Sequence, residues 1–263
     1  MKKVVISLLL IALTSSLFVG CGKSSDKLNS LENVKKSGKL LIGLEDSYPP
    51  MEFRNSKNDL VGFDIDLGNE VAKKLGVKAE YVATDFNGII LALNASRFNL
   101  ILSGMSITDT RKRAIDFSVP YVTGGQIIAV KIGDTSIKSV DDLKGKIVGT
   151  QLGSIGDTTA STMKDLKEVK KYDKIAEGLQ ELSSGRVNAV IMDAQVGGYY
   201  TTQKKGQYKI LTKLISEEPM GVGFKKGEKE LKDAIDKAIL ELKNNGTLTK
   251  LSIKWFGFDA YKK

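Results

Sequence analysis

Short apolar runs alternate with helical periodicity along most of this chain, and that alternation confines it to a small set of folds. Leu40 to Leu44 has the length and apolar density of a buried strand. Gly62-Phe63 then leads to Asp64, a residue type suited to cap a helix whose Leu67, Val71 and Leu75 recur every fourth residue, and Gly76 closes it. Val77 to Val82 predicts a second strand, Asn87 to Ser96 a second helix and Leu100 to Leu102 a third strand. Strand, helix and strand in this order build a largely parallel sheet with helices on its faces, so the fold class is α/β.

A faint internal repeat sharpens this reading. Leu93-Asn94-Ala95-Ser96-Arg97-Phe98-Asn99-Leu100-Ile101-Leu102 can be laid over Leu182-Ser183-Ser184-Gly185-Arg186-Val187-Asn188-Ala189-Val190-Ile191, each a helix end, a turn and a buried strand. Ligands in open α/β sheets sit beyond the carboxyl ends of the strands. The first copy therefore delivers Ser103 and Gly104 to a cleft, and the second delivers Met192 and Asp193. Two such half-sites, one acidic, point to two lobes facing one ligand, although common helix-turn-strand grammar could produce the same match. An acid directly after the apolar strand 189–192 must find a partner, in a site or as the cap of the next helix, because an unpaired buried charge is costly.

The 263 residues include no histidine and one cysteine, Cys21. Histidine-dependent nucleophile systems, the usual zinc sites and disulfide frameworks are thereby excluded. Cys21 follows Lys2 and Lys3, an apolar stretch from Val4 to Val19 too short to span a bilayer comfortably, and Gly20. This is the pattern of a lipoprotein export signal over residues 1–20. A lipid on Cys21 would anchor the chain at the outer face of the cytoplasmic membrane and remove a reactive thiol. An ordinary secretory peptide ahead of a free thiol is the alternative. Residues 21–36, rich in Ser, Lys and Asn after the cysteine, read as a tether. The formal charge is +9, but the lysines are scattered and form no aromatic-interleaved basic stripe, so nucleic acid is not an expected partner.

A set of motifs in a fixed order carries a family resemblance. Tyr48-Pro49-Pro50-Met51-Glu52-Phe53, Val61-Gly62-Phe63-Asp64-Ile65-Asp66-Leu67 and Asp85-Phe86-Asn87-Gly88 come first. Ser106-Ile107-Thr108-Asp109-Thr110-Arg111, Ile115-Asp116-Phe117-Ser118-Val119-Pro120-Tyr121, Asn245-Gly246-Thr247 and Lys254-Trp255-Phe256-Gly257 follow. From about Lys39 to Gly257 the chain resembles the polar amino-acid solute-binding proteins of ABC importers, bacterial extracellular solute-binding proteins of family 3. The resemblance implies a type II periplasmic-binding-protein clamp with lobe one at 37–120 and 221–263, lobe two at 126–215, and hinges near 121–125 and 216–220. It also implies a monomer that is not an enzyme, takes no cofactor or metal, holds a free L-amino acid and hands it to an ABC permease and ATPase complex.

Site residues carry over by motif position. Arg111 corresponds to the arginine that grips the ligand α-carboxylate, a task suited to a planar guanidinium; its other reading is an exposed helix arginine like Lys112 and Arg113. Gly104 through its backbone and Ser106 through its hydroxyl correspond to positions that complete the carboxylate and ammonium contacts, with Ser103 beside them. Asp193 corresponds to the acid that receives the α-ammonium. The Gly153-Ser154 turn is similar to the loop whose amides reach the carboxylate from the second lobe, flanked by Gln151 and Ile155. Glu45, Tyr48 and Phe86 match the positions around the ligand side chain, and two rings with a carboxylate suit arginine, lysine or ornithine. Glutamine or cystine receptors of the same type, a sensory receptor and a dehydratase-type enzyme on the same fold are the competing expectations.

Overall fold

The computed structural model describes residues 30–262. The export signal and the lipidated Cys21 expected from the sequence lie outside the described residues. The expected tether ends earlier than its composition implied, because Ser30–Ser37 is a helix, α1. Leu31 and Val34, three residues apart, share one face of it; Val34 is buried in the core and Leu31 packs against it.

In the first half of the chain, β1 (Lys39–Leu44), β2 (Ser47–Tyr48), β3 (Glu52–Arg54) and β4 (Leu60–Val61) precede helix α2 (Phe63–Leu75). Strand β5 (Lys78–Ala83), helix α3 (Ile89–Asn94), strand β6 (Leu100–Ile101), helix α4 (Asp109–Ala114) and strand β7 (Asp116–Phe117) complete it. The second half holds β8 (Val122–Lys131), β9 (Ile147–Gln151), α5 (Ile155–Thr162), β10 (Glu168–Tyr172), α6 (Ile175–Ser183), β11 (Ala189–Asp193), α7 (Ala194–Gln203) and β12 (Tyr208–Ile210). The chain returns through β13 (Ser216–Met220) and β14 (Gly223–Phe224) and ends in α8 (Lys229–Asn244) and α9 (Thr247–Phe256).

These elements form two α/β lobes. The first sheet has the order β5-β1-β6-β14-β7, and the second β10-β9-β11-β8-β12 with β13 also on β8. In each, three parallel strands are followed by antiparallel ones: β5, β1 and β6 in the first, β10, β9 and β11 in the second. The crossing segments are neighbours, since β8 and β13 pair antiparallel from Val122↔Met220 to Gln126↔Ser216.

The internal repeat is real in three dimensions. Ser96 and Gly185, matched in the repeat, both adopt positive φ, 60° and 78°. Asn99 Oδ1 accepts from Leu41 N at 2.8 Å, and its counterpart Asn188 Oδ1 accepts from Ile147 N at 2.9 Å. Each asparagine fills the first rung of its parallel ladder, ahead of β6 or β11, where the neighbouring strand's amide would otherwise lack a partner.

One local expectation fails. Helix α2 begins at Phe63, its cap position is Gly62, and Asp64 lies inside the first turn, fully buried. Gly62 has φ 142°, and a Cβ there would stand 2.1 Å from Met51 O, so only glycine fits. Asp64 turns inward because its partners, Gly104 N and Tyr121 Oη, come from other segments. The second expected helix is also shorter, a 3₁₀ turn at Phe86–Gly88 leading into α3. Among the described residues no helix is long and apolar enough to cross a membrane.

Replacing Asn99 by alanine strands the Leu41 amide in a part-buried place and should lower stability by about 1 to 2 kcal/mol. The equivalent Asn188→Ala exposes its strand amide to water and should cost about 0.5 to 1 kcal/mol, an order that chemical denaturation of both variants checks.

Candidate functional site

Arg111 and Asp193 come from different lobes and line one small space. Thr108 caps α4 by accepting from Arg111 N at 3.1 Å, which fixes where the arginine leaves the helix. Its guanidinium donates to Ser106 O at 2.9 Å, reaches across to Gly153 O at 3.1 Å and lies 5.4 Å from the centre of the Phe86 ring. Lys112 and Arg113 remain exposed, so Arg111 is set apart from its neighbours. Burial holds its pKa below the ordinary arginine value, while Asp193 pulls the other way.

Asp193 ends β11, all five residues of which are buried. It occupies the position before α7 yet makes no capping bond to that helix. Its carboxylate instead accepts from Tyr48 Oη at 2.6 Å, across the cleft, and from Gln126 Nε2. Burial pushes its pKa up to about 6 and Glu218 adds to the rise, against the opposing bonds from Tyr48 and Gln126 and the charge of Arg111.

Tyr48, Phe86, Gly104, Ser106, Arg111, Gln151, Ser154, Ile155 and Asp193 together enclose this space. It measures about 10 Å³, room for roughly one water. Glu45 stands just behind the lining: its carboxylate accepts from Ser47 Oγ at 2.7 Å and from Gln151 Nε2, another contact between lobes. Burial raises the Glu45 pKa against those bonds and the nearby Lys174. Ser154 Oγ is engaged in capping α5, where it accepts from Asp157 N at 3.1 Å.

One residue of the predicted set stands behind the lining, and another has its amide already engaged. Ser103 does not line the space; its hydroxyl accepts from Glu45 N at 3.0 Å and donates to Glu52 Oε1 at 2.6 Å. Gly104 lines it, but its N–H already donates to Asp64 Oδ2 at 2.7 Å, which leaves the carbonyl as its free backbone group. Gly104 thus offers an acceptor for an ammonium rather than a donor for a carboxylate.

Other participants escaped the sequence. Gln126 Nε2 bridges Asp193 and Glu218, the latter at 3.1 Å, and ties the acid to both crossing strands. The segment after Gly104 is laced to the same return strand, with Ile107 N donating to Pro219 O at 2.8 Å and Gly221 N to Met105 O at 3.0 Å. Glutamine and glutamate inside strands give no local signal of such a role. A roomier recess of about 680 Å³ lies elsewhere, walled by Phe53, Tyr199, Leu214 and Trp255, but it lacks an opposed cation and carboxylate. Among the described residues no group of acids, cysteines or histidines could hold a metal ion.

Comparison with known proteins identifies the family. Residues 40–258 match the family model for bacterial extracellular solute-binding proteins, family 3. The arginine-binding extracellular protein ArtP of Bacillus subtilis is 37% identical over 260 residues, 97% of this chain and 98% of that protein. The L-cystine-binding protein TcyJ of Escherichia coli K12 is 34% identical over 233 residues, covering 88% of each. A solved ancestral arginine-binding protein bound to arginine is 46% identical with a TM-score of 0.80, covering 84% of this chain and 99% of that one. The chain belongs to family 3 of the bacterial extracellular solute-binding proteins.

Proposed function

We propose that this protein is an extracellular receptor that captures a basic amino acid, arginine, lysine or ornithine, and presents it to an ABC importer without transforming it. The observation that carries the reading is the meeting of Arg111 and Asp193, from opposite lobes, at one enclosed space. A zwitterion satisfies both: its carboxylate takes the guanidinium fork, and its ammonium takes Asp193 together with the Gly104 carbonyl. Only a ligand that touches both lobes favours their closure, since a conformational equilibrium shifts by differential affinity alone.

Charge balance favours a cationic side chain. Asp193 and Glu45 are buried acids on opposite sides of the cleft, and among the lining residues Arg111 is the only cation. A ligand with one carboxylate and two cationic groups pairs every one of these charges, whereas glutamine leaves Glu45 with its hydrogen bonds and the charge of Lys174 outside the lining. Tyr48 and Phe86 supply rings beside the path to Glu45, the arrangement for cation–π contact. The kinship to both arginine- and cystine-binding proteins keeps cystine as the competing ligand. The receptor is proposed to work as a monomer, anchored through Cys21 to the outer face of the membrane.

Calorimetry against the amino acids, with ornithine and cystine, tests ligand identity; stoichiometric binding of cystine and none of arginine overturns the basic preference, and turnover of a carboxylate substrate overturns the receptor role. Arg111→Ala should weaken binding by about 2 to 5 kcal/mol, because it leaves a buried carboxylate unpaired; near-wild-type affinity removes Arg111 from the site. Glu45→Gln should reduce arginine affinity by about tenfold or more, the scale of one charge-assisted contact, and leave glutamine affinity nearly unchanged. Asp193 pairs with an ammonium only when ionised, so its raised pKa makes affinity fall as pH drops through about 6. The loss should approach about tenfold per pH unit below that point and vanish in Asp193→Asn, which binding titrations at pH 5 and 7.5 would show.

A further inference from the structure

Beneath the cleft, two acids lie together with no base beside them. Glu52, on β3, and Asp64, in the first turn of α2, are both 0% exposed. Glu52 Oε1 accepts from Ser103 Oγ at 2.6 Å. Asp64 Oδ2 accepts from Gly104 N at 2.7 Å and from Tyr121 Oη at 3.0 Å. The remaining oxygens, Glu52 Oε2 and Asp64 Oδ1, are buried and find no donor among the described residues. The two acids are held side by side, since Asp64 N donates to Met51 O, next to Glu52, at 2.8 Å, and their carboxyl groups bond the consecutive residues Ser103 and Gly104. The other titratable groups facing them are Glu45 and Tyr48 from the β1–β2 segment, Tyr81 from β5, Tyr121 at the crossing and Tyr261 near the C-terminus, all acids or phenols.

Two carboxylates this close in a dry interior cannot both ionise, and two oxygens with no donor between them are satisfied together by one proton. We propose that Glu52 and Asp64 share a single proton, and that this acid–carboxylate pair is a positioning device that fixes the Ser103–Gly104 loop relative to the crossing strand at Tyr121. The proposal rests on the ligand-binding reading of that loop. The proton resides on Glu52, whose free oxygen donates to Asp64, and Asp64 keeps its negative charge for Gly104 N and Tyr121 Oη. The amide of Gly104 is thereby withheld from the ligand. Tyr121 extends the link, since Tyr261 Oη donates to Tyr121 O at 2.6 Å and Tyr121 N donates to Met220 O at 3.0 Å. Loop, crossing strands and C-terminal segment are thus joined through one buried proton. Burial raises both acids above the ordinary carboxylate range; the Asp64 charge raises Glu52 further, while the interaction with Glu52 lowers Asp64, in keeping with this arrangement.

The sign of the pH effect follows. The folded protein keeps a proton that the unfolded chain releases near the ordinary glutamate value, so this pair's stabilisation is complete in acid and is lost as pH rises towards the folded-state titration. Within that window the folding equilibrium constant should fall about tenfold per pH unit because of this proton. Glu52→Gln replaces the acid by an amide that can donate to Asp64 and accept from Ser103 at every pH. It should fold, bind its amino acid within about threefold of wild type at neutral pH, as expected when a hydrogen bond is replaced in kind, and lack that one-proton slope. Glu52→Ala, which removes the donor altogether, should weaken binding clearly more.

The decisive comparison is the pH dependence of unfolding and of amino-acid affinity for wild type and Glu52→Gln, the ligand's own titration being common to both. Superimposable profiles overturn the proposal; a slope steeper by one proton in wild type than in Glu52→Gln supports it, the raised acids Asp193 and Glu45 contributing equally to both. Should Glu52→Gln fail to fold, infrared spectra of wild type carrying isotope-labelled glutamate decide, a protonated glutamic acid signal at neutral pH being expected and its absence overturning the pair. The unfolding and infrared measurements need no ligand. Failure of the receptor reading would appear as no binding at any pH, with the proton still detectable.

Discussion

A carboxylate in a dry interior must be met by donors, and in this protein Asp193 meets donors from both lobes. Tyr48 reaches it from the first lobe and Gln126 from the second. Arg111 repeats the pattern in reverse, leaving the first lobe to reach Gly153 in the second. Polar groups of one lobe are therefore completed by the other, and in the proposed function a dipolar ligand enters that arrangement by exchanging its own charges for these contacts. The cost of leaving either charge unpaired couples ligand binding to the relative placement of the lobes.

The duplicated architecture explains why the charges face each other. In each sheet a parallel strand, β6 or β11, runs beside β1 or β9 and is held in register by an asparagine, Asn99 or Asn188. Each then delivers a residue to the same cleft, Gly104 from one side and Asp193 from the other. The crossing strands lie side by side, and both reach the site: Gln126 and Glu218 contact Asp193's network, and Pro219 holds the segment that follows Gly104. A change at the crossing is felt at the ligand groups without any long relay.

The interior beneath the first half-site is unusually acidic. Glu45, Glu52 and Asp64 are all buried there, linked through Ser103 and Gly104. Ser103 joins the Glu45 backbone amide to the Glu52 carboxyl, so the backbone that carries the acid proposed to recognise the ligand side chain is tied to the proposed proton-sharing pair. Such networks are rigid when every member is satisfied, and their members act together rather than singly.

The sequence by itself determined the alternation of strand and helix, the internal repeat and Asp193 as a candidate, because periodicity, turn chemistry and an acid after an apolar strand are local signals; Arg111 was singled out by its place in the family motif, since an arginine beside Lys112 and Arg113 carries no such signal. It misread Asp64 as a helix cap and residues 30–36 as tether, since an acid before a periodic run and a polar, lysine-rich stretch look the same whether or not something distant packs on them. Tertiary structure alone decided that Asp64 answers Gly104 and Tyr121, that Ser103 serves as a strut, that the Gly104 amide is already engaged, and that Tyr48 meets Asp193. Those partners lie 40 to 145 residues apart in the chain. Hydrogen-bond choice across such separations is set by which groups burial brings together and leaves without water, a property of the folded interior that no local pattern carries.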